Sequence, residues 1–280
     1  MGGILVTGTC GRLGASLFEF LSSREGKVIA VSRKGLDLSE KAEVSKRLAA
    51  FRPDLIFHTA AMTDVDECER DPTRAWRDNL EATRNLAEAA AALNARLIHF
   101  STDYVFDGQK SSPYIEPDSP NPLSVYGKTK LAAERAVSSL VENYAIIRVA
   151  WLFGVKGDFV SFVKGEIAQG RSPKLATDHR GSPGYIPDLL AAIQQIAKSD
   201  VRGIFHLTNS GYCDRFQMGQ EIIRILGSRV EPIPSTGAEI GFIASRPRQS
   251  VLSCRKYEES FGHTLRSWQE ALRAYLKNTG

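Results

Sequence analysis

Tyr126 and Lys130 stand four residues apart in Tyr126-Gly127-Lys128-Thr129-Lys130. On a helix that spacing puts a phenol and an ammonium on one face, one turn above the other. The bare spacing carries little, because lysine is common and the chain has eight tyrosines. Its meaning comes from upstream, where the apolar run Leu97-Ile98-His99-Phe100-Ser101 reads as a buried strand ending in Thr102-Asp103-Tyr104. Open α/β sheets bind ligands at the C-terminal ends of their strands. A hydroxyl, a phenol and an ammonium meeting there form a proton-delivery set.

A second signature lies near the start. Gly3-Ile4-Leu5-Val6-Thr7 reads as a strand, and Gly8, Gly11 and Gly14 follow before a helical pattern of Leu13, Leu17, Phe18 and Leu21. Glycines at this point permit a tight turn and close approach of backbone to a pyrophosphate, and the helix N-terminus offers free N–H groups to the phosphates. A dinucleotide is the expected ligand. The next strand, Lys27 to Ser32, ends at Arg33-Lys34, about 20 residues past the last glycine, where an acid suits a ribose hydroxyl and an arginine a 2′-phosphate. Arg33, backed by Arg12 inside the turn, favours NADPH, while Asp37 nearby leaves NADH open.

Other candidates have plainer readings. His58 and His99 lie inside apolar runs and read as satisfied core histidines. Asp64, Asp66, Glu67 and Glu69 resemble a metal cluster, but they precede Asp71-Pro72, a cap and first-turn proline, so they read as acids near a helix N-terminus and no metal is expected. Arg246 and Arg248 flank Pro247 and suit either a diphosphate clamp or an exposed loop.

These groups need a scaffold, and the chain supplies strands alternating with helices. A polar helix from about 39 to 51 leads to the strand Asp54 to Thr59, which runs out into Ala60-Ala61-Met62-Thr63, small enough to admit a flat ligand. A long helix with a stripe of Trp76, Leu80, Thr83, Ala87 and Ala90 returns the chain to the Leu97 strand. After the Tyr126 helix comes the strand Tyr144 to Ala150, with Trp151 at its C-terminal end. This alternation predicts an α/β fold, a Rossmann-like doubly wound parallel sheet with right-handed crossovers and a smaller C-terminal substrate-binding lobe. Residues 1–152 form the expected nucleotide-binding domain, with the chain returning near 185–208. Residues 153–184 and 209–280 belong mainly to the lobe, with helices over 158–169, 187–198, 216–226, 254–261 and 267–276.

Composition narrows the function classes. The 280 residues are 42% hydrophobic and 24% charged, ordinary for a globular protein, and the net charge of +4 comes from basic residues spread along the chain. That favours an anionic small molecule over nucleic acid. Cys10, Cys68, Cys213 and Cys254 show no paired spacing, which points to a reducing, cytoplasmic setting. No apolar run approaches membrane-spanning length, and Met1-Gly2 lacks the hydroxyl at position 6 that myristoylation requires. Membrane attachment is not expected.

Read together, these blocks resemble the extended short-chain dehydrogenase/reductases and, within them, the dTDP-4-dehydrorhamnose reductase family. The likeness runs through the glycine turn, Asp37-Leu38, His58 to Asp66, Ser101-Thr102-Asp103-Tyr104-Val105-Phe106-Asp107-Gly108, Val125 to Lys130, Arg148 to Gly154 and Arg246-Pro247. It implies Thr102, Tyr126 and Lys130 as the catalytic set. Gly11 to Leu13, Ser32, Arg33, Asp37, Leu38 and Ala60 to Thr63, with Tyr126 and Lys130, would line the cofactor. Thr102, Asp103 and Trp151 would face the sugar. The implied reaction reduces the C4 ketone of a nucleotide-linked 4-keto-6-deoxy sugar, most simply dTDP-4-dehydro-L-rhamnose, with Lys130 drawing the Tyr126 phenol toward its anion. Gly184 and His179-Arg180 depart from the family pattern near the substrate lobe. Ser16 replaces an acid that relatives use in a metal-bridged dimer, so magnesium is not carried over, while a homodimer stays open. Competing readings are another enzyme of the superfamily, such as a nucleotide-sugar epimerase, and an NADP-binding regulatory subunit like that of methionine adenosyltransferase. A dehydratase is disfavoured, since Thr102-Asp103 is followed by Tyr104 and not by Glu.

Overall fold

The computed structural model describes residues 3–278, so the Met1-Gly2 reading lies outside the described residues. Its core is a six-stranded parallel sheet in the order Gly203–His206, β5 (Tyr144–Val149), β4 (Arg96–Thr102), β3 (Pro53–His58), β1 (Gly3–Thr7), β2 (Val28–Val31). Alternate residues of each strand point to opposite faces. Ile4, Val6, Ile98 and Ile147 accordingly pack with α1 (Arg12–Ser22) and α8 (Ile186–Lys198) on one face. Leu5, Ile56, Leu97 and Ile146 pack with α2 (Lys41–Phe51), α5 (Ala82–Ala92) and α6 (Val125–Leu140) on the other. The order steps outward in both directions from the β1/β3/β4 centre, and the C-terminal ends of these strands open a crevice. Among the described residues no helix is long and apolar enough to cross a membrane.

Two sequence readings need correction. The helix before β4 does not present Trp76 and Leu80 to the core: Trp76 is 38% exposed and Leu80 is half-buried. A π-helical turn over Arg77–Glu81 separates α4 (Pro72–Trp76) from α5 and shifts the phase. The buried side is Ala75, Asn79, Thr83, Leu86 and Ala90. The acids Asp66, Glu67 and Glu69 do not merely precede a helix; they make up half of α3 (Val65–Arg70), capped by Asp64, while Asp71 caps α4 by accepting from the Arg74 amide at 2.9 Å.

His58 fits its expected core role, bonding Thr7 Oγ1 at 2.8 Å and Thr83 Oγ1 at 2.9 Å. His99 does not: its Nε2 meets Lys130 Nζ at 3.3 Å, while its Nδ1 has no hydrogen-bond partner. Burial pushes the imidazoles of His58 and His206 down to about 3. The folded chain keeps them neutral, whereas the unfolded chain protonates them near 6.5. Their contribution is therefore complete above that pH and is lost as pH falls toward 3. From pH 7 to 5.5 each should remove about 1.3 kcal/mol, or ~2.5 kcal/mol together. Urea unfolding at the two pH values checks this; equal midpoints would refute it.

A further hydrophobic cluster is built by α7 (Phe159–Ala168), α9 (Arg215–Ile225), the helix Trp268–Asn278 and short strand pairs. Phe153, Val160, Leu175, Met218, Ile222 and Leu272 form its core. The chain crosses back between the lobes: Gly203–His206 extends the main sheet beside β5.

Candidate active site

Thr102 is the last residue of β4, and the backbone then tightens into a 3-10 turn over Asp103–Val105. Its hydroxyl donates to Asp103 Oδ1 at 3.0 Å and accepts from the Tyr104 amide at 3.2 Å. The first turn of α6 is pressed against this corner. A Cβ on Gly127 would lie 2.2 Å from the Tyr104 carbonyl oxygen, so only glycine lets the helix approach this closely. Ser124 caps α6 by accepting from the Gly127 amide at 3.1 Å, and Glu69 accepts from the Val125 amide at 2.7 Å. Tyr126 is thereby set edge-on to Tyr104, ring centroids 6.1 Å apart. Thr102, Asp103, Tyr126, Lys130 and Trp151 all line one cavity of about 510 Å³.

Burial dominates the electrostatics. Lys130 is 3% exposed, and desolvation pulls its ammonium down to about 8, with Glu134 one turn along opposing the shift. Asp103 is pushed up to about 6 by burial, against hydrogen bonds from Ser250 and Thr102. The Tyr126 phenol is raised above its usual value by desolvation, and the Thr102 hydrogen bond only partly offsets this. The expected lowering by Lys130 is not found: burial sets the direction, and Asp103, Cys68 and Tyr104 add to it. Tyr126 therefore stays protonated at working pH, which suits a proton donor.

The glycine turn borders both this cavity and a second one of about 240 Å³. Gly8 has φ +70°, and a Cβ there would sit 2.6 Å from the Ala60 amide nitrogen. The turn is thus packed flat on the end of β3. Helix α1 has no side-chain cap and no acid in its first turn, leaving its N–H groups and dipole for an anion. Arg12, Leu13, Gly14 and Thr63 line the larger cavity; Ser32, Arg33, Asp37, Leu38, Ala60 and Met62 line the smaller, and Gly11 and Ala61 line both. A long crevice with an anion-seeking centre fits a dinucleotide. Asn79 steadies it from the π-helical turn, accepting from the Met62 amide at 2.7 Å and donating to Thr129 Oγ1 at 3.0 Å.

Arg246 is the one predicted residue that does not line either cavity. Its guanidinium pairs with Asp66 at 3.0 Å and stacks 3.8 Å over Phe242. Sequence reading missed Arg215, which lines the larger cavity and lies 3.9 Å over the Trp151 ring and 4.6 Å over Phe159. Trp151 holds a left-handed backbone, φ 44°, and Gly181 leaves the space its indole occupies, since a Cβ there would be 2.5 Å away. No motif announced Arg215, because it reaches the site only when the second lobe folds over the sheet.

Comparison with known proteins agrees with this geometry. A family model described as the RmlD substrate binding domain matches residues 1–280. The dTDP-4-dehydrorhamnose reductase of Streptomyces griseus is 37% identical over 276 residues, covering 96% of this chain and 91% of that protein. A dTDP-4-keto-6-deoxy-D-glucose reductase of Streptomyces niveus is 33% identical, covering 96% of this chain and 94% of that protein. The crystal structure of dTDP-4-dehydrorhamnose reductase from Bacillus anthracis in complex with NADP superposes with a TM-score of 0.95 at 31% identity, covering 99% of this chain and 100% of that one. This chain belongs to the dTDP-4-dehydrorhamnose reductase family of the extended short-chain dehydrogenase/reductases.

Proposed function

We propose that the protein is an NADPH-dependent reductase of a dTDP-linked 4-keto-6-deoxy sugar, with dTDP-4-dehydro-L-rhamnose as the substrate and dTDP-L-rhamnose as the product. The observation that carries this is the convergence of Thr102, Tyr126 and Lys130 in one cavity continuous with the glycine turn. NADPH, when bound, supplies the hydride. As the ketone carbon accepts that electron pair, the C=O π bond becomes an alkoxide, and Tyr126 gives its O–H proton to the oxygen. An alkoxide is far more basic than a phenolate, so a raised phenol pKa does not prevent the transfer. The Thr102 hydroxyl aligns the same oxygen, and Lys130 offsets the phenolate left behind.

On this reading Trp151 and Asp103 face the sugar, and Arg12 and the α1 N-terminus take the cofactor's diphosphate. Arg246 acts by tying the 237–248 loop to α3 through Asp66 and not as a diphosphate clamp. Residues 1–152 and 185–208 form the cofactor domain, and 153–184 with 209–280 mainly the sugar lobe. The four unpaired thiols support a cytoplasmic setting.

NADPH oxidation followed with dTDP-4-dehydro-L-rhamnose generated in situ tests the assignment. Turnover dependent on the keto sugar is expected. NADPH binding without turnover on this or other keto sugars would replace the reductase with a binding or regulatory subunit.

A further inference from the structure

At the mouth of the smaller cavity three arginines converge on one carboxylate. Asp78, 9% exposed, accepts from Arg33 NH1 and NH2 at 2.8 Å each, and Arg77 and Arg74 approach it at 2.9 and 3.4 Å. Burial alone would raise the Asp78 pKa, yet the surrounding arginines hold it below the usual carboxylate value. Arg33 comes from the end of β2, whereas Arg74, Arg77 and Asp78 come from α4 and the π-helical turn. Asp37 also interacts with Arg33 and Arg77, so three guanidiniums stand against two carboxylates and one positive charge is left over. Arg33, Arg74 and Asp78 line the cavity together with Asp37, whose carboxylate is fixed by the Ser39 amide and hydroxyl at 3.0 and 2.8 Å.

We propose that Asp78 is an internal counter-ion that sets how strongly the site prefers a 2′-phosphorylated adenosine, with Arg74 as a second phosphate-recognising residue beside Arg33. This rests on the dinucleotide reading of the cavity. The leftover positive charge favours an anion, and planar guanidiniums from two directions suit the oxygens of a phosphate. Asp78 acts in two ways: it holds Arg33 and Arg74 at the rim when no phosphate is there, and it competes with the phosphate for them. Asp37 meanwhile offers an acceptor for an unphosphorylated ribose hydroxyl. The pocket is therefore balanced between the two ligands, and Asp78 is the weight on the unphosphorylated side. Reading the end of β2 alone identifies Arg33 and misses the balance, which comes from a different element.

Isothermal titration of the full chain with adenosine 2′,5′-bisphosphate and with adenosine 5′-monophosphate tests this without turnover. Asp78→Asn keeps the shape and removes the charge, and should tighten the bisphosphate relative to the monophosphate by about tenfold. Arg74→Ala should lower the same ratio by about tenfold. Ratios within twofold of wild type in both variants would overturn the proposal while leaving the dinucleotide site intact. A wild-type chain that binds neither nucleotide would overturn both.

Discussion

Tyr126→Phe is expected to lower kcat by about 10²–10⁴-fold, the range a positioned general acid contributes, equivalent to ~3–5 kcal/mol of barrier. The variant keeps the aromatic ring that packs edge-on to Tyr104 and removes only the hydroxyl, so the corner between α6 and β4 should stay as it is. The buried phenol gains little from its surroundings: burial raises its pKa, with Thr102 the hydrogen-bonding group opposing that shift. Stability should therefore change by well under the catalytic loss. The KM for the sugar and the Kd for NADPH should stay within a few-fold of wild type, because the glycine turn and Lys130 are untouched. Steady-state NADPH oxidation together with fluorescence titration of NADPH separates these quantities. A variant retaining more than a tenth of wild-type kcat would show that another group, or water, protonates the alkoxide.

The parts of this site that can be read in the sequence are those fixed by local spacing. Tyr126 and Lys130 share a helix face. The continuous apolar run Ile4-Leu5-Val6 likewise marks a strand buried on both faces. What escapes is whatever depends on a partner distant in sequence. The sequence does not show that Arg246 pairs with Asp66, which lies about 180 residues upstream. Arg33 stands out in the sequence at the end of β2, yet Asp78, which pairs with it, and Arg74, which approaches the same carboxylate, come from the π-helical turn and α4. The Tyr126 pKa escaped for a related reason. A sequence shows that an ammonium is near, not that the corner is dry enough for desolvation to win.

Glu134→Gln should be the most destabilising conservative change near the site, at about 3–5 kcal/mol. Glu134 and Arg148 are 2% and 1% exposed and form a bidentate pair, at 2.9 and 2.7 Å, between α6 and β5. Among the described residues Arg148 has no second carboxylate in contact; it lies 5.0 Å over Phe106, with His206 Nε2 at 3.4 Å, and burial keeps that imidazole neutral. Replacing the carboxylate with an amide retains two hydrogen-bonding atoms but leaves a buried guanidinium uncompensated, and an unpaired buried charge is what makes breaking such a pair costly. At ~2–4 °C per kcal/mol for a chain of this size class, the melting temperature should fall by roughly 6–20 °C. A second consequence reaches the chemistry. Glu134 is the group that raises the Lys130 pKa against desolvation, which already brings it to about 8. Without that carboxylate Lys130 loses its proton at lower pH, so the alkaline limb of kcat should move to lower pH. Arg148→Met in the same background removes the stranded charge and should recover part of the stability, but not the displaced limb, because the carboxylate that supports Lys130 is still absent. Calorimetry and a pH–rate profile on the single and double variants distinguish the two effects. A Glu134→Gln protein with unchanged melting temperature would mean that Arg148 finds another partner on its own.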